Sequence, residues 1–149
     1  MDITNLIEPE TICLELQART KDEALKELVE LLDVAGKLNN KSQFLADIWK
    51  REEIGNTGFD EGIAIPHAKS YAVAKPAVAV GISRKGIDYG AEDDELSDVF
   101  FMLASPDGDD HHHIEVLAQI STKIIEDGFV NKLKAAESVD DARELLTDC

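Results

Sequence analysis

The chain has 149 residues, of which 44% are hydrophobic and 31% charged, the size and balance of one ordinary globular domain; a disordered or fibrous chain is excluded. Its net charge of −16 argues against nucleic acid or an anionic membrane as a main partner, because both need clustered Lys and Arg, and favours partners with basic surfaces. Two cysteines, Cys13 and Cys149, imply no disulfide framework. Without a basic leader or an apolar run of about 18 residues, neither a signal peptide nor membrane insertion is expected, and the location read from this is cytoplasmic.

In chain order, residues 11–16 alternate, with Ile12, Leu14 and Leu16 on one side, which predicts a half-buried strand. Thr20-Lys21-Asp22-Glu23 is a capping-box pattern. Behind it Leu25, Leu28, Val29 and Leu32 recur at helical spacing, until Gly36 offers a stop. A second helix is predicted over 41–53, with Phe44, Leu45, Ile48 and Trp49 inward and Gly55 at its end. Residues 55–69 form a Gly-rich loop, in which 63–65 make a short strand stopped by Pro66. The apolar runs 77–82 and 99–104 read as buried strands, with 85–94 between them a turn or short extended excursion. Asp109 or Asp110 caps a long helix that buries Ile114, Leu117, Ser121, Ile124 and Ile125 and ends near Gly128. Two short helices follow, over 130–136 and Val139–Thr147, with Ser138 and Asp141 as the cap of the last. Strands interleaved with helices predict an α/β fold: a single layered domain over 1–149, with a mixed β-sheet flanked by helices.

Chemistry concentrates on four histidines. His67 follows Pro66, which fixes φ and turns the chain, so it is either a reactive group on a Gly-rich loop or an ordinary surface-turn histidine. His111, His112 and His113 are consecutive. Side chains that turn by about 100° per helical residue cannot converge on one metal, and no His-Glu-x-x-His spacing is present, so no metal is expected. The plain alternative is a solvated helix start. There the helix dipole disfavours imidazolium and favours a bound phosphate, which suits a neighbour of an anion site. The sequence lacks a Gly-x-x-x-x-Gly-Lys-Ser/Thr loop and a Gly-x-Ser-x-Gly elbow, and Gly55, Gly58 and Gly62 miss the dinucleotide spacing. Asp93-Asp94-Glu95 and Asp109-Asp110 fit no EF-hand.

Gly62-Ile-Ala-Ile-Pro-His67-Ala resembles the enzyme IIA domains of the bacterial sugar phosphotransferase system, fructose/mannitol type. The likeness continues through Lys50-Arg51-Glu52 with Asn56-Thr57-Gly58, Lys75-Pro76-Ala77-Val78, Gly86-Ile87-Asp88 and 99–106, to His113-Ile114-Glu115-Val116-Leu117-Ala118. It covers essentially the whole chain in order. The resemblance implies a phosphocarrier that accepts a phosphoryl group from phospho-HPr on His67 and passes it to enzyme IIB. It also implies that His113 and Arg51 are active-site partners. Backbone N–H groups at Thr57 and Gly58 would add a phosphate-binding nest. No cofactor is implied. The family register selects His113 from the triplet and leaves His111 and His112 solvated. Asp60 and Glu61 stand where the family has glycine or small polar residues, and must point away from a phosphate. The fructose branch is favoured. A regulatory, nitrogen-type enzyme IIA that binds other proteins according to its phosphorylation state is the alternative; a metal-binding module on the His run is remote.

Overall fold

The computed structural model of the protein describes residues 3–58, 60–91 and 93–147; Cys149 and the side chains of Thr4 and Asp60 lie outside the described residues. At the centre, β4 (Ala77–Ile87) and β5 (Ser97–Pro106) run antiparallel, with Val78 opposite Leu103 and Ile82 opposite Val99. Both are apolar on two faces because helices cover both. Val99, Phe101 and Leu103 enter one core, Phe100, Met102 and Ala104 the other. β1 (Ile12–Cys13) pairs parallel to β4, while β2 (Ile63–Ala64) and β3 (His67–Ser70) pair parallel to β5. The sheet order is β1-β4-β5-β2, with β3 also on β5. Helices α1 (Lys21–Val34) and α2 (Lys41–Ile54) pack on one face. Helices α3 (Asp110–Ile124), α4 (Phe129–Lys134) and α5 (Val139–Thr147) pack on the other. This is the layered α/β arrangement with a mixed sheet that the element pattern predicts. Among the described residues no helix is long and apolar enough to cross a membrane.

Thr20 and Ser138 cap as the sequence suggests, whereas Asp109, at the cap position of α3, makes no side-chain cap bond and turns its carboxylate to His112 Nδ1 instead. Glu23 N–H donates to Thr20 Oγ1 (3.2 Å), the Glu23 carboxylate accepts from Arg19 N–H (3.1 Å), and Asp141 N–H donates to Ser138 Oγ (3.1 Å). Four boundaries differ. The first strand shrinks to two residues, although Leu16 N–H still reaches the Ile82 carbonyl at 2.8 Å. The strand before Pro66 ends at Ala64, one residue earlier than expected, and the chain rejoins β5 as β3 at His67 in the same register, with the Pro66 carbonyl accepting from Leu103 N–H (3.0 Å). β4 extends to Ile87 through a register shift after Ile82, so the first three residues of the expected excursion, 85–87, are strand. Gly128, in the left-handed region at φ 75, precedes α4, which starts at Phe129, while α3 has already ended at Ile124.

The buried stripe of α3 is His112, His113, Val116 and Ile120. Of the expected face, Leu117 and Ile124 are only half-buried, and Ile114, Ser121 and Ile125 are exposed. Apolar residues occur on two sides of this helix, so periodicity alone selected the wrong one.

Gly62 shapes the entry to β2. Its φ is +84, and a Cβ there would lie 2.7 Å from Asp98 Oδ1 and 3.1 Å from the Leu96 carbonyl oxygen. Gly62→Ala should therefore lower stability by about 1–3 kcal/mol, read as a drop in the thermal midpoint. An unchanged midpoint would mean that this turn relaxes freely.

Candidate active site

The strand register carries His67 to its place. His67 pairs with Leu103 and Lys69 with Ser105, so both side chains face the layer that α3 covers. Just upstream, across Pro66, the Ile65 carbonyl faces the ring of His67. His67 Nδ1 lies 2.7 Å from that oxygen. A carbonyl only accepts, so Nδ1 carries the hydrogen and Nε2 keeps the lone pair.

His113, in the first turn of α3, is buried beside it, and the two ring centroids are 5.5 Å apart with the planes at 48°. His113 Nδ1 lies 2.7 Å from Ser105 Oγ. Arg51 lies in the last turn of α2, with Nη1 donating to the Gly55 carbonyl at 3.0 Å. His67, His113 and Arg51 line one cleft of about 730 Å³, with Lys50, Lys69 and Asp47 also on its wall. Among the described residues Arg51 meets no carboxylate, so most of its guanidinium fork remains for a ligand. Asp107 also lines the cleft, Lys69 pairs with Asp110 (2.6 Å) and Lys50 lies 3.7 Å from Asp47, so Arg51 is the cation left to meet an anion on a chain of charge −16.

Burial is the main cause that pushes the His67 imidazole below its ordinary range; the Ile65 bond opposes it and Arg51 adds to it. Burial, His67 and the Lys69 ammonium push His113 down to about 4. Both rings are therefore neutral near pH 7, the form in which imidazole is a nucleophile.

The histidine triplet divides three ways. The His111 side chain is 96% exposed, near Glu115 at 3.7 Å, as expected for a solvated residue. His112 is not solvated: it is buried, with Nδ1 3.0 Å from Asp109 Oδ2, because it begins the inward stripe of α3.

The expected nest at Thr57 and Gly58 does not form in this structure. Thr57 N–H is engaged by Glu52 Oε1 (3.2 Å) and Gly58 N–H by Asn56 Oδ1 (2.7 Å). Thr57 belongs instead to a buried network in which its hydroxyl donates to Glu52 Oε2 and meets the Tyr89 hydroxyl at 3.1 Å. Lys21 Nζ closes it at 2.8 Å from Glu52 Oε1. Burial and the Glu52 charge raise the Tyr89 phenol well above its ordinary range, so it stays a neutral partner. In sequence Glu52 figures only as part of the Lys50-Arg51-Glu52 resemblance, and its buried position is revealed by packing. Ser105 is likewise missed, although its two-residue offset from the core-facing Leu103 is a usable signal. Glu61 is exposed and lies outside the His67 cleft, donating its N–H to Asp93 Oδ2 at 3.2 Å.

The family model "Phosphoenolpyruvate-dependent sugar phosphotransferase system, EIIA 2" matches residues 5–149. The chain belongs to this family. Among related EIIA 2 sequences, the fructose-specific EIIABC component of Bacillus subtilis is 39% identical over 140 residues, 94% of this chain but only 22% of that protein. The fructose-specific EIIA component of Haloferax volcanii is 34% identical, covering 99% of this chain and 96% of its own length. Among solved structures, the nitrogen regulatory protein IIA-Ntr of Neisseria meningitidis superposes with a TM-score of 0.89 at 25% identity, covering 97% of this chain and 99% of that one. The mannitol enzyme IIA of Escherichia coli, solved in complex with phosphorylated enzyme IIB, superposes with a TM-score of 0.80 at 26% identity, covering 94% and 96%.

The depressed histidine has a consequence for this EIIA domain in acid. An unfolded histidine takes its proton near 6.5 and folded His113 only near 4, so the unfolded chain binds more protons between those values. Stability present above pH 6.5 is lost as pH falls toward 4, by about 3 kcal/mol from this residue. Denaturant melts at pH 7 and pH 4.5 should show a smaller acid loss in His113→Gln than in the wild type. Parallel losses would assign the acid sensitivity elsewhere.

Proposed function

We propose that residues 1–149 act as one cytoplasmic EIIA domain. In this reading it is a phosphocarrier that takes a phosphoryl group from phospho-HPr and hands it to enzyme IIB for uptake of a fructose-type sugar. The observation that carries the reading is the bond from His67 Nδ1 to the Ile65 carbonyl, which leaves Nε2 as the nucleophile at the cleft.

In the step, the Nε2 lone pair attacks phosphorus, and a new N–P bond forms as the N–P bond to the HPr histidine breaks. His67 gains positive character as the bond forms, so its Nδ1–H bond to Ile65 strengthens in the transition state, where strengthening accelerates the reaction. Arg51, with its planar fork, and His113 supply donors to the equatorial oxygens, since phosphoryl transfer depends chiefly on positioning and charge stabilisation. Return to the enzyme IIB nucleophile reverses these changes. Ile54 and Tyr71, both exposed on the cleft rim, offer the two partners an apolar landing surface. The fructose branch is supported by the two relatives at 39% and 34% identity. The likeness to IIA-Ntr keeps a regulatory role as the second reading.

Incubation with phosphoenolpyruvate, enzyme I and HPr should add one phosphoryl mass to the wild type and none to His67→Ala. Phosphorylation of His67→Ala at the wild-type rate would overturn the assignment. Arg51→Ala should slow transfer about 10²–10³-fold, with Arg51→Lys only partly restoring it, because lysine lacks the fork. Unchanged kinetics in Arg51→Ala would remove that residue from the mechanism. A phosphorylated protein that transfers nothing to enzyme IIB, yet binds other proteins according to its phosphorylation state, would favour the regulatory reading.

A further inference from the structure

Ser105 lies near the end of β5, 2% exposed, with its Oγ 2.7 Å from His113 Nδ1. Among the described residues this is the only hydrogen bond of that hydroxyl. A neutral imidazole carries one N–H, so two arrangements are open. If His113 Nδ1–H donated to Ser105, the serine hydrogen would be buried without an acceptor, which folded proteins avoid. If Ser105 O–H donates to Nδ1, the buried serine hydrogen has its acceptor, and the His113 hydrogen must sit on Nε2, the ring nitrogen left for the cleft.

We propose that Ser105 is a positioning residue: its hydroxyl donates to His113 Nδ1 and so fixes that ring in the tautomer whose Nε2–H serves the cleft. The two histidines then present complementary edges. His67, held by the Ile65 carbonyl, offers a lone pair; His113, held by the Ser105 hydroxyl, offers a hydrogen. An acceptor orients the nucleophile and a donor orients its partner, so the same imidazole chemistry yields opposite roles at rings 5.5 Å apart. The strand register supplies the geometry, since Ser105 is paired with Lys69, two residues beyond His67 on the adjacent strand. The functional weight of this inference rests on the phosphocarrier reading; the tautomer does not.

Nitrogen-15 NMR of the wild-type protein reads the tautomer directly, and should place the His113 hydrogen on Nε2; a hydrogen on Nδ1 overturns the proposal. In Ser105→Ala the ring should populate both tautomers, and transfer from phospho-HPr should slow about 10- to 10²-fold, less than loss of the whole donor. Ser105→Thr, which keeps the hydroxyl, should restore both the tautomer and the rate. In a His113→Ala background, Ser105→Ala should cost nothing further. An equal loss in both backgrounds would show that the serine acts only on the fold, and a wild-type rate in Ser105→Ala would remove it from the mechanism. If the wild type accepts no phosphoryl group at all, the phosphocarrier reading fails, while NMR still decides the tautomer.

Discussion

The hydrogen bond from His67 Nδ1 to the Ile65 carbonyl is the constraint on which the rest of the site depends. Between the two lies Pro66, which fixes φ and removes a backbone donor. The sheet tolerates it because the strand resumes on β5 in the same register. Gly62, at φ +84, admits the chain to this segment at its other end. The nucleophile is thus set by backbone geometry, which side-chain mobility disturbs little.

Around that bond the protein keeps its histidines neutral by burial while holding cations nearby. Arg51 lines the cleft of a strongly acidic molecule without a carboxylate partner among the described residues, while Lys50 and Lys69 beside it are paired with Asp47 and Asp110. The cations and the burial act in the same direction, both disfavouring imidazolium. An incoming phosphoryl group meets positive charge and an unprotonated ring together. Beneath the cleft, Glu52 is held by Thr57 and Lys21, so the carboxylate just after Arg51 in sequence is neutralised by its own partners. Of the Gly-rich segment, the Thr57 and Gly58 N–H groups are therefore already committed, to Glu52 and Asn56.

Much was legible in the chain. Apolar runs marked β4 and β5, and capping patterns marked α1 and α5, because these signals are local. Arg51, His67 and His113 were legible only through ordered resemblance along the chain; periodicity could not bring together residues so far apart. The Thr57 and Gly58 nest was misread because a Gly-rich segment looks like an open phosphate cradle until its N–H groups find acceptors, here Glu52 and Asn56. The inward face of α3 was misread because Ile114 and Ile125 compete with Val116 and Ile120 in any helical projection. His112 was misplaced with it.

The sequence by itself determined the layered α/β class, most of the elements, the acidic field and the residue types able to do the chemistry. Each of these follows from composition and short-range pattern. Tertiary structure decided that the Ser105 hydroxyl of β5 holds the His113 ring of α3, whereas the Ile65 carbonyl that holds His67 lies only two residues away in the chain. It also decided that Glu52 is buried and that Arg51 shares a cleft with His67 and His113. Those facts depend on strand register and on helix rotation against the sheet. Contacts distant along the chain set both, and no local window of residues contains them.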